Sequence, residues 1–162
     1  MIDNNDRNNG DYGVIVNRKT RLYELAPVFD NGNAFSSKAT DEQLSRYLQE
    51  SENDLKNRFT GSRTAYVVGN KQLSAKRLLK YDNADLRAAV MRVTPKIQNH
   101  AQEIEEFIAG IPEEYNGQIV CSKVRKEYYV KGLMVRFNEL ILPAYERVRG
   151  TGKMQLFKNQ FL

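Results

Sequence analysis

Tryptophan is absent, cysteine and histidine occur once each, and proline only four times in 162 residues. The lone Cys121 has no partner for an internal disulfide, which excludes a disulfide-stapled scaffold and favours a reducing cytoplasm. Its expected role is that of a small buried hydrophobe rather than a nucleophile. No Gly-x-Ser-x-Gly segment accompanies His100, so a hydrolase elbow is excluded and His100 reads as a helix-surface residue. No apolar run approaches the ~20 residues that cross a bilayer, and Met1 is followed by polar residues rather than a leader-like apolar stretch. Neither a membrane span nor a secretory signal is therefore expected. Gly150-Thr151-Gly152-Lys153 fails as a phosphate loop, because Arg147 stands where the first Gly belongs and Met154 where Ser or Thr is required. A flexible C-terminal turn is the expectation there.

What is present suits one domain of ordinary size. Hydrophobic residues make up 41% and charged residues 28%, enough for a core under a solvated surface. The net charge of +5 is uneven: residues 61–100 hold eight Lys or Arg against Asp82 and Asp85. Such a surplus suits phosphates or acidic protein surfaces, or simply a solvated helical face. No aromatic ladder interleaves with it, which speaks against direct nucleic-acid binding.

Along the chain, residues 1–11 read as loop. Tyr12–Val16 and Leu22–Leu25 favour strand and flank a turn at Asn17–Arg21, which predicts a small hairpin. Residues 31–40 read as an exposed loop. Thr40 or Asp41 can cap a helix with Leu44, Tyr47 or Leu48, Leu55 and Phe59 on its apolar side. Residues 60–72 read as irregular, with Tyr66–Val68 a candidate strand and Gly69-Asn70 a turn, and Leu73–Tyr81 as a short helix. Asp85 or Asn83 opens the clearest helix, whose stripe runs through Leu86, Val90, Val93, Ile97, Ala101, Ile104 and Ile108. Pro95 should kink or split it, and Gly110 with Pro112 should end it. Cys121–Val148 reads as a second long helical region, perturbed by Gly132 and Pro143. The expectation is a mainly α domain with a short β-hairpin near its N-terminus.

The unusual chemistry lies in the first thirty residues. Asp6 and Asp11 stand five positions apart in a loop, and Asp30 follows the hairpin. Phosphoryl transfer needs groups of this kind: one carboxylate to orient the attacking hydroxyl, and side-chain oxygens to hold the metals that neutralise phosphate. A hairpin between the second and third acid can fold them back towards one point. An EF-hand is excluded, since Arg7 would occupy a ligand position and no start places both the glycine and the closing Glu correctly.

Two motifs here resemble those of the HipA-like serine/threonine protein kinases. Asn4-Asn5-Asp6-Arg7-Asn8-Asn9-Gly10-Asp11-Tyr12-Gly13 is similar to that family's catalytic loop, Asn-x-Asp-Arg-His-x-x-Asn-aromatic-Gly. Leu25-Ala26-Pro27-Val28-Phe29-Asp30 looks like its Leu-Ala-Pro-x-(Tyr/Phe)-Asp metal-binding segment. The resemblance implies the helical C-terminal lobe of a protein-kinase-like fold: residues 1–40 would carry the catalytic loop, hairpin and metal segment, and residues 41–162 the helical body. It implies Asp6 as the catalytic aspartate, Asp30 and Asp11 as magnesium ligands, and Asn4 and Arg7 as buttresses of the loop. ATP and Mg²⁺ would be the cofactors, and a protein the substrate. A DNA-binding antitoxin is a partner that many members of the family have. Asn8 replaces the family's His and Asp11 its Asn; the latter adds negative charge where phosphate must approach.

A kinase also needs a Gly-rich loop and a Lys–Glu pair to grip ATP. None follows Asp6 here, so the nucleotide-clamping lobe is expected elsewhere, in a longer protein, and the chain alone is expected to be inactive. Ser36 and Ser37 lie where an activation loop would run. The alternatives are a lipid or small-molecule kinase lobe, against which the Leu-Ala-Pro segment speaks, and a non-catalytic helical module or pseudokinase lobe binding a partner through its basic stretch.

Overall fold

The fold was obtained as a computed structural model, which describes residues 13–26 and 34–158, apart from the side chains of residues 65 and 151–158. The expected hairpin is there: β1 (Val14–Val16) pairs antiparallel with β2 (Tyr23–Leu25), with Val14 opposite Leu25 and Val16 opposite Tyr23. Asn17 organises its turn. The Oδ1 atom of Asn17 accepts from the backbone N–H groups of Lys19 and Thr20, and Arg21 takes a left-handed φ of 57° to close it.

Thr40 does cap the next helix, through a full capping box with Gln43, but the helix is shorter than its apolar pattern predicts. It ends after one arm, α1 (Asp41–Leu48), and a second, α2 (Glu52–Thr60), starts afresh. Ser51 caps α2 by accepting from the N–H of Asp54, a start signal inside the hydrophobic pattern that periodicity alone overlooks. The two arms bring Leu44, Leu55 and Phe59 together around Tyr128.

The candidate strand at Tyr66–Val68 and the turn at Gly69-Asn70 are both there, within a second hairpin that also takes in residues expected to be irregular or, at Leu73 and Ser74, helical. Strand β3 (Arg63–Val68) returns through Gly69-Asn70 to β4 (Lys71–Ser74), and only Ala75–Leu78, α3, is helical. Strand pairing takes Leu73 and Ser74, and Ser74 then caps α3 through the N–H of Arg77. Asn83 caps α4 (Ala84–Asn99) as expected. The helix runs through Pro95, and the split comes five residues later at His100, before α5 (Ala101–Gly110). His100 is exposed at this junction and bonds Glu103 at 2.9 Å. A third hairpin, β5 (Glu114–Tyr115) and β6 (Gln118–Ile119), turns on Asn116-Gly117, both with positive φ.

The last helical region is α6 (Lys123–Arg136), a π-helical turn at Phe137–Ile141, and α7 (Leu142–Lys158). The irregularity sits just ahead of Pro143, whose missing N–H cannot continue the α ladder. Gly150-Thr151-Gly152-Lys153 lies inside α7 rather than in a turn. Cys121 is buried as expected, and burial pushes its thiol pKa above the ordinary value.

The core is centred on α1, α2 and α6. Leu44 is 0% exposed and Tyr128 only 1%. The Phe59 ring lies 4.9 Å from that of Tyr128, centroid to centroid. Arg136 is buried and donates to the carbonyl of Phe59 and to Ser62 Oγ, which places a cation at the C-terminal end of α2. Gly132 permits the close approach of α6 to α2: a Cβ there would sit 2.7 Å from Phe59 Cε1. Gly132→Ala gains helix propensity of about 1 kcal/mol. Overpacking against a ring already held by Tyr128 costs about 1–3 kcal/mol. The net expectation is a lower urea midpoint for Gly132→Ala, whereas Gly110→Ala, with no atom within 4 Å of its Cβ, is neutral or stabilising.

Candidate functional site

Asn4, Asp6, Arg7, Asp11 and Asp30 all lie outside the described residues. The scaffold between and behind them is described, and it constrains where the chain leads. Beyond the register of β1 and β2, the N–H of Ala26 donates to the carbonyl of Gly13 at 2.9 Å. The chain therefore enters and leaves the hairpin at one end. Asp11 precedes Gly13 by two residues and Asp30 follows Ala26 by four. At ~3.3–3.6 Å per extended residue, two such tethers reach no further than about 7 and 14 Å from that end.

The segment beyond Asp30 is anchored to the helical body. Residues 34–40, expected as an exposed loop, instead start with Ala34 buried and Phe35 half-buried. Phe35 and Ser36 adopt left-handed φ values of 55° and 53°, a conformation that costs non-glycine residues and persists only when neighbours enforce it. The neighbours are on one face of α6. The Tyr129 ring packs tilted against Phe35, 5.0 Å between centroids, and the hydroxyls of Tyr128 and Ser36 lie 3.3 Å apart. Of the two candidate activation-loop serines, Ser36 is exposed and Ser37 half-buried.

Arg125 completes this grip. Its Nη2 donates to the carbonyl of Ala39 at 2.7 Å and to Asp41 Oδ1 at 3.1 Å. Its Nη1 reaches the carbonyl of Ser37 at 3.4 Å and the hydroxyl of Tyr129 at 3.3 Å. Burial opposes the charge of this guanidinium, but Tyr129 and Asp41 more than offset it, and its pKa is raised. The planar fork of Arg suits this multiple bonding in a way an ammonium does not. Arg125 and Tyr129 were not legible as functional in the sequence. Their spacing on α6 looks like any helix surface, and their partners lie more than 80 residues away.

Among the described residues, no group of three or more His, Cys, Asp or Glu side chains is placed to hold a metal ion. A cavity of about 870 Å³ opens between α2 and α6, floored by Leu55 and Val135 and lined by Lys56 and Glu139, which pair at 2.6 Å. It borders neither hairpin β1–β2 nor the turn at residues 34–40, and its ion pair is satisfied within the fold. No described helix is long and apolar enough to cross a membrane. Hydrogen bonds to a charged group contribute about 1.5–3 kcal/mol each when their loss leaves partners unpaired. Arg125→Ala is accordingly expected to destabilise the chain by about 2–3 kcal/mol in urea unfolding and to speed amide exchange across residues 34–41. Arg125→Lys, which keeps the charge and loses the fork, should recover less than half of that stability.

No family model matches this sequence, and no curated protein matches it. The three-dimensional comparison is more informative. The chain is similar to the crystal structure of CtkA, a proinflammatory kinase of Helicobacter pylori, with a TM-score of 0.80 and 23% sequence identity. The match covers 93% of this chain and 52% of that one, so the chain spans about half the length of the kinase it resembles. The architecture is thus mainly helical with a small N-terminal hairpin, and it is a kinase-like fold.

Proposed function

We propose that this chain is the metal-binding and catalytic lobe of a HipA-like, ATP- and Mg²⁺-dependent serine/threonine protein kinase, inactive until a nucleotide-clamping lobe joins it. The observation that carries the reading is the coincidence of two independent facts. A kinase-like fold extends over 93% of the chain. The two stretches whose residues resemble a kinase catalytic loop and metal segment run into the opposite strands of one hairpin, whose ends meet at Gly13 and Ala26.

In this reading Asp6 accepts the proton of the attacking hydroxyl, and Asn4 and Arg7 hold its loop by hydrogen bonding and charge. Asp11 and Asp30 supply hard carboxylate oxygens, the donor type that Mg²⁺ prefers, with no Cys or His in the first thirty residues. Bound Mg²⁺ supplies charge neutralisation for the phosphates. The turn at residues 34–40, which begins four residues after Asp30, is anchored to α6. A cytoplasmic setting and, in the parent protein, an antitoxin partner belong to the same proposal.

A second reading has one observation in its favour. Arg63, Lys71, Lys76, Arg77, Lys80, Arg92 and Lys96 are all exposed, which suits a non-catalytic module that binds an acidic partner.

Phosphotransfer by the chain joined to its clamping lobe separates the two readings. Asp6→Ala is expected to lower transfer to protein by about 10²–10⁴-fold, the usual contribution of a positioned general base. Asp30→Ala should abolish Mn²⁺ binding measured by electron paramagnetic resonance as well as transfer. Asp11→Asn, which restores the family's residue, should retain or raise activity. Unchanged transfer in both Asp6→Ala and Asp30→Ala would sink the kinase reading. The isolated chain should show no turnover of ATP.

A further inference from the structure

A second cavity, of about 360 Å³, lies where the link between α3 and α4 meets α7. It borders neither hairpin β1–β2 nor the turn at residues 34–40. The buried Val90 and the half-buried Leu79, Leu86 and Val148 give it an apolar floor, and the exposed Tyr81 stands at its edge. Its charged lining is exposed: Lys80, Arg87 and Arg147 against Asp82 alone. Local structure fixes these groups. The N–H of Tyr81 donates to the carbonyl of Leu78 in a turn after α3, and Asn83 then starts α4 by accepting from the N–H of Leu86. Leu86 and Val90, four apart, thus share one face of α4, with Arg87 beside them. Arg147 reaches from α7 and donates to the carbonyl of Leu79, which ties the two sides of the cavity together. Asp82 pairs with Arg87, but their side chains are 88% and 45% exposed, and so open an ion pair yields readily to a stronger anion. Among the described residues no carboxylate pairs with Lys80.

We propose that this cavity binds a free small molecule, a phosphomonoester on an aromatic body, and uses none of the residues assigned above to catalysis. Charge selects the head group. Three cations against one carboxylate leave a surplus of two positive charges, and a phosphomonoester carries about −1.5 to −2 at neutral pH. The planar forks of Arg87 and Arg147 match phosphate oxygens in pairs, and the Lys80 ammonium adds a point charge. The floor selects the body. A bare polyanion would use the cations and leave Leu86, Val90 and Val148 uncovered, and a neutral apolar molecule would do the reverse. The volume falls within the ~300–1,000 Å³ usual for small-molecule sites. The exposed lining is mostly charged, at Lys80, Asp82, Arg87 and Arg147, and offers flanking peptide residues little apolar contact, which favours a free molecule over a phosphorylated segment of a protein. Lys80 and Arg87 belong to the basic surplus of residues 61–100, to which the kinase reading gives no role.

The test is titration of the full chain with 1-naphthyl phosphate in the presence of EDTA. Naphthyl fluorescence anisotropy reads it, free of tryptophan emission because the chain has no tryptophan. The probe should bind about tenfold more tightly than 1-naphthol, and than inorganic phosphate measured by displacement, because each of those makes only one kind of contact. Lys80→Gln and Arg87→Gln should each weaken it about tenfold, the effect of one lost charge-assisted hydrogen bond. Lys76→Gln and Arg92→Gln, at exposed basic positions outside the cavity, should leave it unchanged. Asp30→Ala should also leave it unchanged, which separates this cavity from the acidic site. Equal affinity for inorganic phosphate or 1-naphthol, full binding by Lys80→Gln and Arg87→Gln, or an equal loss in Arg92→Gln or Asp30→Ala would overturn the proposal. So would a phosphotyrosine peptide that binds about tenfold more tightly than the probe, or no binding at all.

Discussion

The buried ring of Tyr128 is the point on which the described structure turns. Phe59 of α2 packs against it at 4.9 Å, Tyr47 of α1 at 6.2 Å, and Leu44 and Leu55 close the same cluster. Its hydroxyl is the only part with polar business, and that atom meets Ser36 in the turn beyond the metal segment. A tyrosine is the side chain that can do both, giving the core a large apolar body while its tip satisfies a polar partner at the edge. Burial of the ring thus ties three helices and the turn into one unit, and the alternative of leaving that hydroxyl unpaired would cost about 1–3 kcal/mol.

Helix α6 consequently serves two tasks through adjacent residues. Tyr128, Gly132, Leu133 and Arg136 face the core and α2, while Arg125 and Tyr129 hold the backbone of residues 35–41. Helical geometry makes this economical, because positions three and four apart share a face and neighbouring faces lie one residue away. Stability of the body and placement of the segment after Asp30 are therefore coupled through one rigid element. Among the described residues, the strands of the hairpin on the other side of that segment pack closely only on each other.

A kinase-like fold seen over nearly all of this chain at 23% identity also illustrates how loosely fold and sequence are tied. Fold alone does not carry chemistry. The chemistry proposed above rests instead on the acidic pattern of the sequence around the hairpin, whose two ends meet at Gly13 and Ala26.

Several features were determined by the sequence itself, because their causes are local. The hairpin at Val14–Val16 and Tyr23–Leu25 follows from β-favouring runs around a turn rich in Asn, Arg and Thr. The helix starts at Thr40 and Asn83 follow from side-chain oxygens that satisfy free N–H groups one turn on. Burial of Cys121 and the mainly helical class belong with them. The acids at positions 6, 11 and 30 were legible as a pattern, and their side chains lie outside the described residues. Only the tertiary structure decided the rest. It broke one apolar pattern into α1 and α2, extended the strand at Tyr66–Val68 into a hairpin over residues 63–74, and placed the split after Pro95 at His100. It also brought Arg125 to Ser37, Ala39 and Asp41. These outcomes depend on contacts between residues far apart in the chain, where packing and hydrogen-bond satisfaction outweigh the few tenths of a kcal/mol by which local propensities differ.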